Sequence, residues 1–477
     1  MPTLSSGEAP APQQRPGLVL APFRGVRYAE DRVSGLARVT SPPYDVIAAD
    51  NETHLMAADP HNVVRLILPR HPADEPGSPF QDAAADLARW LADGILVADP
   101  QPALYVYEQA AAGTGAVLQR GLIGALGLVP YAAGIVRPHE NVMPGPVAGR
   151  RQLMEATQAN LEPIFLLYQN GNGVATGLVD SVADSRAPLS GAVTPDGLRH
   201  RLWAITDPAE LSAIAADLAP RTAMIADGHH RYAAYLEVQR RLRQADAGPG
   251  PWDRGLALLV DSTAYPPHVG AIHRVVDGLV PETAARLAAS AFTVRELPGG
   301  TGDVPGVLGQ LARACGGGVA FLLAGRGRAW LLSDPDPAQL RAAVPDQPAA
   351  LWQRVGGTVM ADLLFARIWG VADDERSVRA FHDPADALAA ADGRSAASNG
   401  SARPAAPDDS AGPGRPGRPG TSAGPGSFGA ATAVLCCPMS AAQVYEVAAL
   451  GRRVPRKSTS FGPKPRTGLV LRLFAEG

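Results

Sequence analysis

Apolar and polar positions along this chain repeat with two different periods. "QDAAADLARWLADG" sets apolar residues at helical spacing and predicts a helix stopped by Gly94. "NETHLMAAD" reads as a shorter helix. "ALYVYEQ" and "GLIGALGLV" predict strands joined through a loop near Gly113, and "LEPIFLLYQN" and "LALLVDS" predict two more. "NVVRLILP", 62–69, reads as an apolar strand interrupted by one charge, Arg65, which calls for a partner or ligand. "TAMIADGHHRYAAYLEVQRRLRQ" changes period midway: strand, sharp turn, helix. Further on, "PETAARLAASAF", "GVLGQLARAC", "GVAFLLAGRGRAWLLSD" and "MADLLFARIWG" predict helix, helix, hairpin and helix. With no fixed-period repeat, the expected class is α+β (mixed α/β) and not a simple doubly wound sheet.

Two stretches break the pattern. Residues 1–16 are polar and Pro-rich, a disordered leader. Residues 393–428 are dominated by Ser, Gly, Pro and Ala, with too little apolar surface to offset their ordering entropy. They predict a disordered insertion between the helical "DPADALAAAD" and the apolar "ATAVLCC". The expected organisation is an N-terminal α/β domain over 17–275, a second α/β region over 276–392, and a strand-helix-strand segment over 429–477 that completes the fold.

Composition narrows the classes. The chain has 477 residues, 46% hydrophobic and 19% charged, ordinary values for two or three globular domains. A net charge of −3 argues against nucleic-acid and membrane-surface partners, which need a basic face. No segment approaches a membrane span, and the start lacks the charge and apolar pattern of a signal peptide. The three cysteines, Cys315, Cys436 and Cys437, form no CxxC and no disulfide framework. Cys436 and Cys437 read as buried inert thiols, and the expected location is a reducing cytoplasm. The sequence does not set the oligomeric state.

Four stretches carry candidate chemistry. In "IADGHHRYAAY" a strand ends at Asp227, an N-cap type residue, and Gly228 permits a tight turn. His229, His230 and Arg231 then fill the first turn of a helix, where free N–H groups and the dipole favour an anion. A solvated helix start is the plainer reading. In "RPHENVMPGPVAGRR", Glu140 and Asn141 supply oxygen ligands suited to Mg²⁺ shared with phosphates. His139 with Glu140 reads equally as a general acid/base pair, or the whole as a polar loop before the helix that Arg150 opens. In "APFRGVRYAEDRVSGLARVTSPPYDVI", Arg24 and Arg27 follow the first strand, and Pro42–Pro43 fix the backbone before Tyr44 and Asp45.

The fourth stretch is "VPRKSTSFGPKPRTG". It contains both lysines of the chain, Lys457 and Lys464, against 41 arginines. Seven basic residues from Arg452 to Arg472 lie within 21 positions that hold no acid, with Ser458 and Thr459 adding hydroxyls. Lysine is a compact point charge that binds phosphate where an arginine fork does not fit. There is no Walker A spacing, and a basic tail is the alternative.

Taken in order, "PFRGVRY", "SPPYDVI", "NVVRLILP", "YVYEQ", "HEN", "PIFLLY", "ADGHHRYAAY", "HRVV" and "PRKSTSFGPKPRTGLV" resemble a bacterial and archaeal family catalogued as domain of unknown function 1015, from about 20 to 475. More distantly, Asp-Gly-His-His-Arg after a strand resembles the signature of the ParB/sulfiredoxin-like fold. That group includes ADP- or ATP-dependent free-serine kinases and CTP-hydrolysing ParB proteins. The resemblance implies that Gly228, His229, His230 and Arg231 cradle nucleotide phosphates with Asp227 positioning them. It also implies Mg²⁺ at Glu140 with Asn141.

The combined expectation is a cytoplasmic phosphotransferase or phosphohydrolase acting with ATP, ADP or another nucleotide, and Mg²⁺, on a small molecule. Glu140 serves as base or Mg²⁺ ligand with His139 as its partner. Lys457 and Lys464, with Ser458 and Thr459, neutralise charge on the transferred group. Arg24, Arg27, Tyr44, Asp45, Arg65, Asn141 and Arg150 support the site. One alternative is a metal-dependent hydrolase with His139, Glu140, Asp227, His229 and His230 as ligands. The other is a non-catalytic protein that senses a nucleotide or anionic metabolite.

Overall fold

Successive side chains of the strand Ile164–Tyr168 enter two different cores. Ile164, Leu166 and Tyr168 join one apolar cluster; Phe165 and Leu167 join another. The period of two thus decides both faces of a central strand, as expected for a sheet covered on both sides. A computed structural model describes residues 17–71, 77–169, 173–344, 355–374, 376–393 and 430–476. The expected leader 1–16, and all of the expected insertion 393–428 except its first residue, lie outside these.

The fold is mixed α/β. The larger sheet runs in the order Val136–Arg137, Ala223–Asp227, Ile164–Tyr168, Arg254–Asp261, Val117–Gly127, Leu104–Ala111, Leu198–Ile205, Ser190–Val193. Leu20–Ala21 adds to Val117–Gly127 off this path. Two pairings are parallel, Ala223–Asp227 with Val136–Arg137 and Arg254–Asp261 with Ile164–Tyr168. One face is covered by helices that include Val174–Ser185, Pro208–Leu218 and His229–Gln244. The other face receives the C-terminal segment through Met439, Val444, Val447, Val454, Phe461, Leu469 and Val470.

A second, antiparallel sheet runs Thr293–Glu296, Arg328–Ser333, Phe321–Gly325, Ala431–Cys436, His273–Asp277, Val378–Phe381. Its strand Ala431–Cys436 lies between Phe321–Gly325 and His273–Asp277. The chain then crosses back, so that residues 440–476 finish on the first sheet.

Three expectations change. Residues 62–69 are not a strand: Val64–Ile67 forms one helical turn, with Asn62 Oδ1 accepting the Val64 N–H at 2.9 Å. The run is apolar because Val63, Val64, Leu66 and Ile67 are all buried, and Arg65 donates to the Met56 carbonyl at 2.8 Å. The closing strand expected of the 429–477 segment is short: "GLVLRLF" is buried, but only Arg472–Leu473 pairs as a strand, with Ala159–Asn160. Cys315 and Cys437, 122 residues apart, form a disulfide, leaving Cys436 as the buried free thiol. Sequence spacing is silent on such a pair because only the fold brings its ends together. The cysteine argument for a reducing compartment therefore lapses. No helix among the described residues is long and apolar enough to cross a membrane.

Candidate functional site

The turn after Ala223–Asp227 is built by a register slip against Ile164–Tyr168 between Ile225 and Asp227. Such a bulge re-aims a side chain, here the Asp227 carboxylate, which is bonded by Arg231 through one oxygen and by Lys464 through the other. Gly228, and not Asp227, is the N-cap of the helix His229–Gln244, at φ 91°. A Cβ there would stand 2.9 Å from the Ile164 Cγ2, so both backbone angle and space demand glycine.

The side chains of the first helical turn are held by the protein itself. Arg231 is buried and donates to the Pro163 carbonyl at 2.6 Å as well as to Asp227. Burial opposes its charge, yet Glu162, Asp227 and Asp45 raise its affinity for the proton overall. His229 Nε2 accepts the His139 N–H at 3.4 Å, and His230 Nε2 accepts the Met143 N–H at 3.0 Å. Burial lowers both imidazoles, so both are neutral.

The C-terminal segment closes over this turn. Val454 donates to the His139 carbonyl at 2.7 Å, beside the Glu140–Val454 bridge. Thr459 Oγ1 lies 2.7 Å from His139 Nε2, and His139 Nδ1 lies 2.7 Å from the Ile225 carbonyl. A carbonyl only accepts, so Nδ1 carries the proton and Nε2 takes the Thr459 hydroxyl hydrogen. His139 thus pairs with Thr459 and not with Glu140, and burial lowers it to about 4. Ser458 donates to the Pro455 carbonyl at 2.7 Å.

Lys457 is held differently from every other cation here. Its φ of 55° is in the left-handed region, an uncommon and costly place for a side-chain residue. Its N–H donates to Glu140 Oε1 at 2.6 Å, and the buried Arg274 grips its carbonyl at 2.8 Å and that of Arg456 at 2.9 Å. The backbone is pinned on both sides, while the half-buried ammonium makes no hydrogen bond or ion pair among the described residues. Its charge reaches Asp45, Glu140 and His230. Burial pushes Glu140 up to about 7, against the pull of Lys457, Arg274 and Lys464.

Tyr44 and Asp45 follow the Pro42–Pro43 pair in a short helical turn, Tyr44–Val46. The Tyr44 N–H donates to Glu162 Oε1 at 3.0 Å, and its ring lies 4.2 Å beneath the Arg150 guanidinium. Arg150 also pairs with Glu162 at 3.6 Å and donates to the Ile67 carbonyl at 2.7 Å. Asp45 Oδ2 lies 3.4 Å from the Lys464 ammonium. A cavity of about 20 Å³, room for one water, lies against Arg150, Glu162, Arg231 and Tyr235.

The structure therefore brings together Tyr44, Asp45, His139, Glu140, Arg150, Asp227 to Arg231, Lys457, Thr459 and Lys464. It leaves out Arg24 and Arg27, which bind Asp99 in a cluster with Tyr105, and Arg65. Asn141 is exposed and makes no hydrogen bond among the described residues. Among those residues no three His, Cys, Asp or Glu side chains stand together as a metal-holding group. The five-ligand hydrolase arrangement fails because Asp227 and His139 are already engaged at both polar atoms. Glu162 and Arg274 were missed. Each is a lone charge at or in an apolar strand run, "LEPIFLLY" and "HRVV", which was the available signal.

No curated protein matches the chain. Among solved structures it is similar, at a TM-score of 0.31 and 13% identity, to a free serine kinase in complex with AMP, covering 69% of this chain and 84% of that one. It is similar also to SbnI with a C-terminal truncation from Staphylococcus aureus, at 0.30 and 11%, covering 74% and 86%. A conserved hypothetical protein from Pyrococcus furiosus gives 0.30 and 13%, covering 69% and 87%. Residues 20–354 match the family described as "Protein of unknown function (DUF1015)", and the chain belongs to that family.

Proposed function

We propose that the protein binds a nucleotide or similar phosphorylated anion in this cluster and transfers or hydrolyses its phosphoryl group on a small molecule. The observation that carries the reading is Lys457. A left-handed backbone locked by Glu140 and Arg274 presents a half-buried ammonium that makes no ion pair among the described residues. Strain of this kind persists where the surroundings over-determine it, and it concentrates at ligand clamps. Phosphoryl transfer asks mainly for positioning and charge stabilisation, and the helix start, Lys457 and Lys464 offer both. Glu140, poised near neutrality, exchanges a proton at working pH. Its Oε1 is taken by the Lys457 N–H, so the site fits Mg²⁺ only as a cation shared with phosphate oxygens. Bound there, Mg²⁺ supplies charge neutralisation.

The test is calorimetry and thermal shift of the full chain with nucleoside di- and triphosphates, with and without Mg²⁺, followed by transfer and phosphate-release assays on small alcohols and water. Binding that weakens in Lys457→Met and is accompanied by turnover is the expected result. No binding at millimolar concentration overturns the reading. Binding without turnover replaces it with a sensor, a reading favoured by the internal pairing of Arg231 and Lys464 with Asp227.

A further inference from the structure

The stretch "YVYEQ", 105–109, lies on the strand Leu104–Ala111 and supplies no side chain to the cluster. It meets the cluster from beneath. Gln109 stands directly opposite Gln119 of the strand Val117–Gly127, and both are buried. Gln109 Nε2 donates to the Lys464 carbonyl at 3.0 Å, and Gln119 Nε2 donates to the Pro463 carbonyl at 2.8 Å and to Gln109 Oε1. Carbonyls only accept, so each amide has one orientation, and the two are joined to each other. Two positions before Gln109, the Tyr107 hydroxyl oxygen accepts the Arg466 N–H at 3.1 Å.

On either side of this grip the C-terminal segment is held to the same sheet by apolar burial, through Phe461 before it and Leu469 and Val470 after it. Among the described residues, the hydrogen bonds that side chains of these two strands make to the segment fall on 463, 464 and 466. A buried amide is costly unless its partners are in place. Two of them are engaged on the carbonyl of Lys464 and on the one before it. The ammonium of that same residue is set on Asp227 and lies 3.4 Å from Asp45.

We propose that Gln109 and Gln119 are positioning residues that set the Lys464 ammonium for the bound anion. The inference rests on the phosphorylated-anion reading above and names what holds its second cation. The two lysines are thus placed by different means. Lys457 has a backbone locked by Glu140 and Arg274, whereas Lys464 has one gripped by two amides of the sheet. A lysine stem is long and flexible, so fixing its peptide limits where the charge can go. An anion that meets a cation already in place binds with less ordering to pay for.

The test measures tripolyphosphate affinity of the full-length chain by calorimetry for Gln109→Met and Gln119→Met, each made in the wild type and in Lys464→Met. Expected is a loss of about fivefold in the wild type, the scale of freeing one long side chain, and of less than about 1.5-fold in K464M, because residues acting through one group are not additive. Equal losses in both backgrounds overturn the assignment, as does no loss in either. A second measurement needs no ligand and no K464M. The chain has two lysines, so carbon-13 lysine labelling gives two sets of ε-methylene signals, and Lys457→Arg leaves that of Lys464. Q109M and Q119M should shift the Lys464 signal and leave that of Lys457; a Lys464 signal that stays in place overturns the proposal. If either methionine variant does not fold, Gln109→Asn or Gln119→Asn is judged by the same criteria. A wild type that binds neither tripolyphosphate nor a nucleotide sinks the anion reading itself, whereas binding with equal losses sinks only the role of the glutamines.

Discussion

Lys464 sets its ammonium on Asp227 across 237 positions of sequence. The pair ties the end of the chain to the turn that opens the helix His229–Gln244, and it is largely buried, with Asp227 also bound by Arg231. Burial works against the Lys464 charge, but Asp227 and Asp45 raise its pKa overall. Lys464→Met leaves Arg231 on Asp227 but takes the ammonium from both Asp227 and Asp45, a loss of about 1–3 kcal/mol for polar groups left unmatched. Lys464→Met is expected to lower the unfolding free energy by that amount in urea titration. Lys464→Arg should recover only part, because the fork does not replace a point charge between two acids. A K464M protein as stable as wild type would show that the pair holds nothing together.

Much of this arrangement was legible in the sequence because its pieces are local. A strand that ends in Asp-Gly, followed by a helical period, gives the turn whatever surrounds it. The lysine window stood out by composition alone. What the sequence did not carry were relationships between distant segments. Arg274 grips the Lys457 carbonyl from 183 positions away, and Tyr44 meets Glu162 from 118. Nothing local distinguishes such an arginine or glutamate from a solvated one. "NVVRLILP" misled for a related reason: a run buried on all sides loses its period, and helix and strand then look alike. His139 was paired with the adjacent Glu140, yet tertiary packing gave it Thr459 and the Ile225 carbonyl.

Lys457 separates binding from stability. Its ammonium makes no hydrogen bond or ion pair among the described residues, so Lys457→Met should change the unfolding free energy by less than about 1 kcal/mol, as for substitutions that break no contact. Polyanion affinity should fall about tenfold, which is about 1.4 kcal/mol, and the salt dependence of binding should weaken with it. Lys457→Gly probes the other half of the residue. It relieves the left-handed backbone, so it should match or exceed wild-type stability while binding as poorly as K457M. Calorimetric titration with tripolyphosphate at two salt concentrations measures both.

The Cys315–Cys437 disulfide makes a count that is simple to check. Unfolded without reductant, the chain should expose one thiol to a colorimetric reagent, from Cys436; after reduction it should expose three. Closing a loop of 122 residues contributes about 4–5 kcal/mol in the chain-entropy account. Cys437→Ser should therefore lose stability in the second sheet, where Cys437 follows the strand Ala431–Cys436. Three reactive thiols before reduction would remove the bond from this account.

Glu140 couples anion binding to pH. Its pKa is raised by burial from an ordinary 4.5 to about 7, so between those values the folded chain holds a proton that the unfolded chain has released. Stability then falls as pH rises through that window and levels off above it. Glu140→Gln mimics the neutral form, so its stability relative to wild type should grow from pH 5 to pH 7.5. An anion on Lys457 raises the pKa further, because a second negative charge disfavours the carboxylate. Wild-type affinity for a polyphosphate should therefore drop more steeply between pH 7 and pH 8.5 than that of E140Q, and the difference between the two cancels the ligand's own titration. Calorimetry in buffers of different ionisation enthalpy should register proton uptake by wild type and less by E140Q. Parallel pH profiles for the two proteins would place Glu140 outside the anion's field and limit it to holding the Lys457 backbone.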